Sequence, residues 1–190
     1  MNRRTLDLVI SIAAVVLGVL ALVLGAVATS QAHFARSTVR DQLSAQRITF
    51  TPADKLTEKE KQQPCLVRNA GEPLRSGKQA ECYADHYIAL HLSEVTLPNG
   101  EHATYSEASS YNRSLPANDP NKAAANAAVQ TLFQGETLRG LLLTSYGFSI
   151  LGERAAQAAT VLYIVGAVLI VAAFAGFLHA LRAPRDRMAT

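Results

Sequence analysis

The sequence lacks the short motifs that mark common hydrolytic and phosphate-binding enzymes. It contains no G-x-S-x-G, no phosphate-binding glycine loop and no H-E-x-x-H helix. Ser110-Tyr111-Asn112 resembles the middle motif of penicillin-binding enzymes, but no S-x-x-K and no K-T-G accompany it. These absences argue against an enzyme, and we expect no catalytic residue and no cofactor.

Basic stripes with interleaved aromatic residues are also missing, so we expect no nucleic-acid partner.

Charge is missing altogether from two apolar blocks of 21 residues each, Leu8–Ala28 and Ala158–Leu178. At about 1.5 Å per residue, each block would form a helix about 30 Å long, the thickness of the hydrocarbon core of a bilayer. We therefore predict transmembrane helices at residues 8–28 and 155–178. An ion or proton pathway is not supported, because neither helix has an ionisable residue at mid-depth.

The distribution of charge predicts the orientation of these helices. Residues 29–154 contain 13 Lys or Arg and 13 Asp or Glu, so the formal charge of +3 lies in the two short tails. Short basic tails remain in the cytoplasm. We predict cytoplasmic tails at residues 1–7 and 179–190 and an extracytoplasmic domain at 29–154. The expected protein is mainly α, with two antiparallel transmembrane helices flanking a mostly helical domain, and it lies in the plasma membrane.

The first apolar block has a second interpretation as a signal peptide. Ala26-Val27-Ala28 matches a small-residue cleavage site, and Asn2-Arg3-Arg4 matches a positive n-region. The block is longer than the usual apolar region of a signal peptide, which favours an uncleaved anchor over a cleaved signal. With either interpretation the middle of the chain lies outside the cytoplasm.

The only two cysteines, Cys65 and Cys82, lie in this middle region, and outside the cytoplasm such a pair predicts one disulfide. Cys82, His86 and His91 also resemble a zinc-binding set, because zinc accepts both residue types. However, His91 lies five residues beyond His86, about 140° further around a helix. We therefore predict no metal site. An envelope enzyme that uses His86 and His91 stays as an alternative function, which we call the enzyme hypothesis.

Local patterns predict helices outside the apolar blocks as well. Gln31–Gln46 has no helix breaker and would continue the first helix. Residues 53–75 are charged, contain prolines and are expected to form a loop. Ser76–Val95 has the apolar spacing of an amphipathic helix, which Ser76 could cap. A short helix is expected at Tyr105–Tyr111, and a long helical stretch begins at Asn121.

The segment G-E-T-L-R-G, residues 135–140, combines charge with helix-weakening glycine. Glu136 and Arg139 are three residues apart, so a helix would make them a structural ion pair. Each glycine inside a helix costs about 1 kcal/mol relative to alanine. We predict a hinge at Gly147 and Gly152, with the apolar face of Leu132–Ile150 resting on the membrane.

Small residues recur on one face of each apolar block. Small faces allow membrane helices to approach closely, so that van der Waals contacts hold them together. The two blocks could pack on each other, bind a helix of a partner or of a second copy, or simply be rich in alanine. The helix-packing face predicted in this way comprises Ala14, Gly18, Ala21, Gly25, Ala159, Gly166 and Ala173.

Three stretches carry a resemblance to a known group of sequences: YADHYIALHL, TYSEAS and, above all, QTLFQGETLRGLLLTSYGF. In these stretches and in its apolar blocks, the chain resembles an uncharacterised family of two-span actinobacterial membrane proteins. Members are sometimes labelled aromatic ring-opening dioxygenases, but the iron site of such an enzyme needs histidine and carboxylate ligands that are not apparent here. The resemblance implies a plasma-membrane protein and no particular activity.

We therefore expect a non-enzymatic integral membrane protein of the cell envelope, acting as an accessory or assembly partner of a larger membrane complex. Its expected partners are the lipid bilayer and a membrane protein or a second copy of the chain. The main alternative is an extracytoplasmic module that binds a lipid or another apolar ligand.

Overall fold

The computed structural model describes residues 3–182 and is mainly α-helical. A π-helical segment, Tyr83–Ile88, joins two of the α-helices directly, so that residues 77–93 form one continuous helix. Arg185 and Arg187, part of the predicted cytoplasmic tail, lie outside the described residues. The α-helices are α1 (Arg3–Ala45), α2 (Glu58–Lys61), α3 (Pro64–Asn69), α4 (Gly77–Cys82), α5 (Ala89–Ser93), α6 (Tyr105–Ser114) and α7 (Lys122–Arg182).

The chain forms two compact units. The terminal unit contains the described residues before Arg36 and after Ile150, and the middle unit is Arg36–Ile150. α1 and α7 are the two described helices long and apolar enough to cross a membrane. In their most apolar windows only 22% and 11% of the residues are buried inside the protein. Most of this apolar surface is therefore open, as it is in helices that face lipid rather than a protein core.

In the terminal unit α1 and α7 pack together in antiparallel order. Contacts between them run from Ser11 with Gly176, through Gly18 with Gly166, to Gly25 with Tyr163. A Cβ atom on Gly18 would lie 3.2 Å from the carbonyl oxygen of Gly166, and one on Gly166 would lie 3.0 Å from that of Gly18. The two backbones approach so closely because neither residue has a side chain there.

The middle unit is built around one apolar core to which nearly every helix contributes. Local sequence explains where several of its helices begin. Ser76, Thr57 and Thr104 each form a capping box at the start of α4, α2 and α6, respectively. Short antiparallel bridges, Thr49 with Pro73 and Thr96 with His102, hold the intervening loops. The core includes Val39, Leu43, Phe50, Leu66, Leu74, Ala80, Ala84, Ile88, Leu92, Leu97, Ala108, Leu132 and Leu142.

The expectation of a loop at residues 53–75 needs correction. Residues 53–75 are not simply a loop: a 3-10 turn (Ala53–Lys55), α2 and α3 lie within them. The Thr57 capping box begins α2, and Pro64 occupies the first turn of α3, where its missing N–H costs nothing. Glu60, which lies in a charged stretch of this segment, is only 3% exposed, and its carboxylate accepts the backbone N–H of Thr57 at 2.7 Å.

Two further predictions concern the long helices α1 and α7. The first helix continues beyond its apolar block to Ala45, as predicted. The helical hydrogen bonding of α7 is unbroken from Lys122 to Arg182, through both Gly147 and Gly152. The glycines therefore do not end the helix, and a hinge at them stays a prediction.

Candidate functional site

The disulfide predicted from the sequence is present. Cys65 and Cys82 are joined by an S–S bond of 2.06 Å, with their Cα atoms 6.0 Å apart. The bond connects α3 to the last residue of α4, immediately before the π segment. Asn69 lies beside this junction: its Nδ2 donates to the carbonyl oxygen of Cys65 within α3 at 2.8 Å, and its Oδ1 accepts from Gln79 Nε2 of α4 at 3.4 Å. The π segment therefore begins at a position held by a covalent cross-link.

The π segment brings aromatic rings into a continuous row. The ring of Tyr83 meets Phe50 edge-on at 5.3 Å and stacks on Tyr87 at 4.6 Å, and Tyr87 lies 4.4 Å from the ring of His91. Burial of its phenol, aided by the neighbouring Tyr87, raises the pKa of Tyr83 to about 12. π-helical turns are rare and often occur at functional sites, so the polar residues of this segment are candidates for a functional role.

Asp85 in the π segment binds Arg139 of α7. Asp85 Oδ1 lies 2.9 Å from Arg139 Nη2 and 3.3 Å from Nε. Arg139 Nη1 also lies 3.4 Å from Glu136 Oε2, the pair expected from the sequence. The pKa of Arg139 is raised, chiefly by its hydrogen bond with Asp85. We call Asp85, Glu136 and Arg139 the Arg139 cluster; Asp85 is the member that the sequence did not reveal.

The helix 77–93 and α7 run antiparallel within the middle unit, and glycine permits a close approach at each end of their contact. A Cβ atom on Gly135 would lie 2.4 Å from Leu92 Cδ2, and one on Gly77 would lie 1.9 Å from Ser149 Oγ. Between these ends the Arg139 cluster links the two helices. The G-E-T-L-R-G segment thus supplies both a close packing position and an ionic contact to the π segment.

His86 and His91, the histidines of the enzyme hypothesis, each contact other residues of the chain. His86 Nδ1 lies 2.8 Å from Gln63 Oε1, whereas His91 Nδ1 lies 2.8 Å from the carbonyl oxygen of Tyr87. His91 Nε2 is 3.8 Å from the buried carboxylate of Glu60. Among residues 3–182 no group of three or more His, Cys, Asp or Glu side chains is arranged to hold a metal ion. Both histidines therefore have contacts that tie the helix 77–93 to its neighbours.

The predicted helix-packing face lies largely between α1 and α7 of the terminal unit. Ala21, Ala159 and Ala173 are buried, and Gly18 and Gly25 contact α7 directly. Tyr163 packs its ring over Gly25, and its hydroxyl lies 3.2 Å from Thr29 Oγ1. Of the possibilities that the sequence left open, these contacts correspond to packing of the two apolar helices on each other.

Comparison with known proteins identifies no family for this chain. No model of a protein family, no curated protein and no solved structure matches the chain. The resemblance to two-span actinobacterial membrane proteins therefore stays a prediction from the sequence.

Proposed function

We propose that this chain is a two-span protein of the plasma membrane that serves, without catalysis of its own, as an accessory or assembly partner of a larger envelope complex. In this proposal both tails are cytoplasmic, the middle unit faces outward, and the apolar parts of α1 and α7 cross the bilayer. The observation that carries the proposal is the antiparallel pair of apolar helices. Their small residues pack inward, while large side chains such as Val16, Leu24, Val168 and Phe174 remain about half exposed or more.

Exposed apolar surface of this extent is unfavourable in water, at roughly 25 cal/mol for each Å². A bilayer removes the cost, because lipid tails are as apolar as the side chains that contact them. Since the small residues are engaged between α1 and α7, we place the contact with a partner on the middle unit. The Arg139 cluster would hold the π segment and α7 in a fixed arrangement for that contact.

Topology can be tested with an added cysteine, because both natural cysteines are in the disulfide. Ala117→Cys lies in the loop after α6, and Thr190→Cys provides the matched position in the C-terminal tail. A membrane-impermeant maleimide should label the Ala117→Cys variant in intact cells and the Thr190→Cys variant only after lysis. The reverse pattern would contradict the proposed orientation.

The accessory role requires a separate measurement. Extraction in a mild detergent after brief cross-linking, followed by native mass spectrometry, should give a complex heavier than the 20.3 kDa chain. A lone monomer in every extract would count against an assembly partner without affecting the topology.

A second candidate is the binding of a lipid or another apolar ligand. A mostly apolar crevice of about 140 Å³ lies in the middle unit between α1 and α7, lined by Val39, Thr144 and Phe148 among others. A crevice of this size could take the end of an acyl chain. Phe148→Ser should then reduce the lipid that copurifies with the protein, as measured by mass spectrometry of the extract, whereas Phe133→Ser, on the same helix and outside the crevice, should not.

A further inference from the structure

A second cavity in the middle unit combines an apolar lining with carboxylates. It has a volume of about 390 Å³ and lies between α5, the loop that follows it, α6 and α7. Ala89, Leu92, Ala103 and Leu132 supply its apolar surface, and Leu92 and Leu132 are buried. Glu107 and Glu136 line the same cavity and are exposed. A ligand here would meet an aliphatic surface and two carboxylates together.

With His102 neutral, the charge of the cavity is negative, although Arg139 also lines it. Three of the guanidinium N–H groups of Arg139 point to acceptors: Nε and Nη2 to Asp85, and Nη1 to Glu136. Asp85 therefore offsets the single positive charge of Arg139. The carboxylates of Glu107 and Glu136 remain as an excess of negative charge. An anionic ligand would have to compete with Asp85 for Arg139, whereas a cation would not.

Both carboxylates have room for a further hydrogen bond. Glu107 Oε2 accepts from the backbone N–H and the hydroxyl of Thr104, both at 2.8 Å, and the backbone bond is the first cause of its lowered pKa. Glu136 has one long contact, at 3.4 Å, with Arg139. Within the described part of the chain, Oε1 of Glu107 and Oε1 of Glu136 make no hydrogen bond. A donor in the cavity could bind these oxygens without displacing the helix cap.

We propose that this cavity binds an organic cation, an ammonium or guanidinium group carried on an aliphatic stem. The stem would pack on the apolar lining, as the methylene groups of Lys and Arg do on apolar surfaces, and the head would donate to Glu107 and Glu136. A free alkylamine and a Lys or Arg side chain of a partner protein share this chemistry. The site is independent of membrane topology and of the accessory role.

The test uses the full chain in detergent and isothermal titration with three probes. n-Butylguanidinium supplies stem and charge, n-butylurea has nearly the same shape without the charge, and a short alanine-rich peptide carries one arginine. The first probe should bind, and the urea should bind at least about tenfold more weakly, since a charge-assisted hydrogen bond is lost. Tighter binding of the peptide than of n-butylguanidinium would assign the cavity to a protein partner, and the reverse order to a free amine.

Variants connect the binding to the cavity. Glu107→Gln with Glu136→Gln should weaken n-butylguanidinium binding about tenfold or more, while Glu72→Gln, an exposed carboxylate outside the cavity, should leave it unchanged. Glutamine at 107 keeps the capping box, and Glu136→Gln alone tests the site if the double variant does not fold. Equal binding of guanidinium and urea, equal binding by the double variant, or no binding of the guanidinium and the peptide at millimolar concentration would overturn the proposal.

Discussion

Replacing Gly135 by alanine tests the close packing of α7 on the helix 77–93. The added Cβ atom would lie 2.4 Å from Leu92 Cδ2 and 3.0 Å from both Cδ1 and Cγ. Leu92 must therefore change its position, and it is only 9% exposed within the core. Overpacking of this kind costs about 1–3 kcal/mol, whereas alanine in place of glycine favours a helix by about 1 kcal/mol. We expect no net stabilisation and a loss of up to about 2 kcal/mol.

Gly140 provides a matched control in the same helix and the same G-E-T-L-R-G segment. A Cβ atom on Gly140 would meet nothing within 4 Å, so Gly140→Ala keeps the gain in helix propensity without the clash. The propensity contribution cancels when the two variants are compared. Gly135→Ala should therefore be less stable than Gly140→Ala by about 1–3 kcal/mol.

Near-ultraviolet circular dichroism during denaturant unfolding in a mild detergent is a suitable assay. The chain has no tryptophan, and of its six tyrosines all but Tyr163 lie in the middle unit, so the signal reports mainly on that unit. If the two alanine variants gain stability equally, the contact between Gly135 and Leu92 does not restrict the helices, and the close packing described above is wrong.

Three further results are expected. A double-mutant cycle of Asp85→Asn and Arg139→Gln should give a coupling free energy of about 0.5–1 kcal/mol. The value is modest because both side chains are about one third exposed to solvent. A coupling near zero would contradict the ion pair. Reduction of the disulfide should lower the free energy of unfolding by about 3 kcal/mol for a loop closed over 17 residues, and the same loss should follow from Cys65→Ser with Cys82→Ser in denaturant titration. Phenolate absorbance at high pH should show Tyr83 titrating near pH 12, and Tyr83→Phe should remove this high-pH component of the curve. Because the pKa of Tyr83 is raised in the folded state, its contribution to stability is complete below pH 10 and is lost as the pH rises from 10 to 12. An unchanged high-pH component in the Tyr83→Phe variant would refute this.

The sequence predicts the parts of the fold that depend on neighbouring residues. Long uncharged runs specify α1 and the second half of α7, since both apolar content and helix length can be counted. Ser76 predicts the start of α4 because its hydroxyl accepts the backbone N–H three residues later, at Gln79. Two cysteines in one region predict one disulfide, because no other pairing exists.

The parts that were missed depend on residues far apart in the chain. Asp85 and Arg139 are 54 positions apart, and nothing local distinguishes their contact from an ordinary charged surface. Glu60 looks solvated within a charged run, but the fold buries it beside Thr57 and His91. The π segment gave no signal either, because the apolar spacing of residues 76–95 fits an α-helix equally well. The cavity carboxylates Glu107 and Glu136 lie far apart in the chain, on α6 and α7, so the sequence offers no reason to group them.

The contact between Asp7 and His179 has a practical consequence. Asp7 Oδ2 lies 2.9 Å from His179 Nδ1, so the beginning of α1 and the end of α7 emerge side by side. Two halves of a split fluorescent reporter, fused one to each end of the chain, would therefore be near enough to reassemble on a single molecule. Such a fusion would become fluorescent only in the compartment where both ends reside.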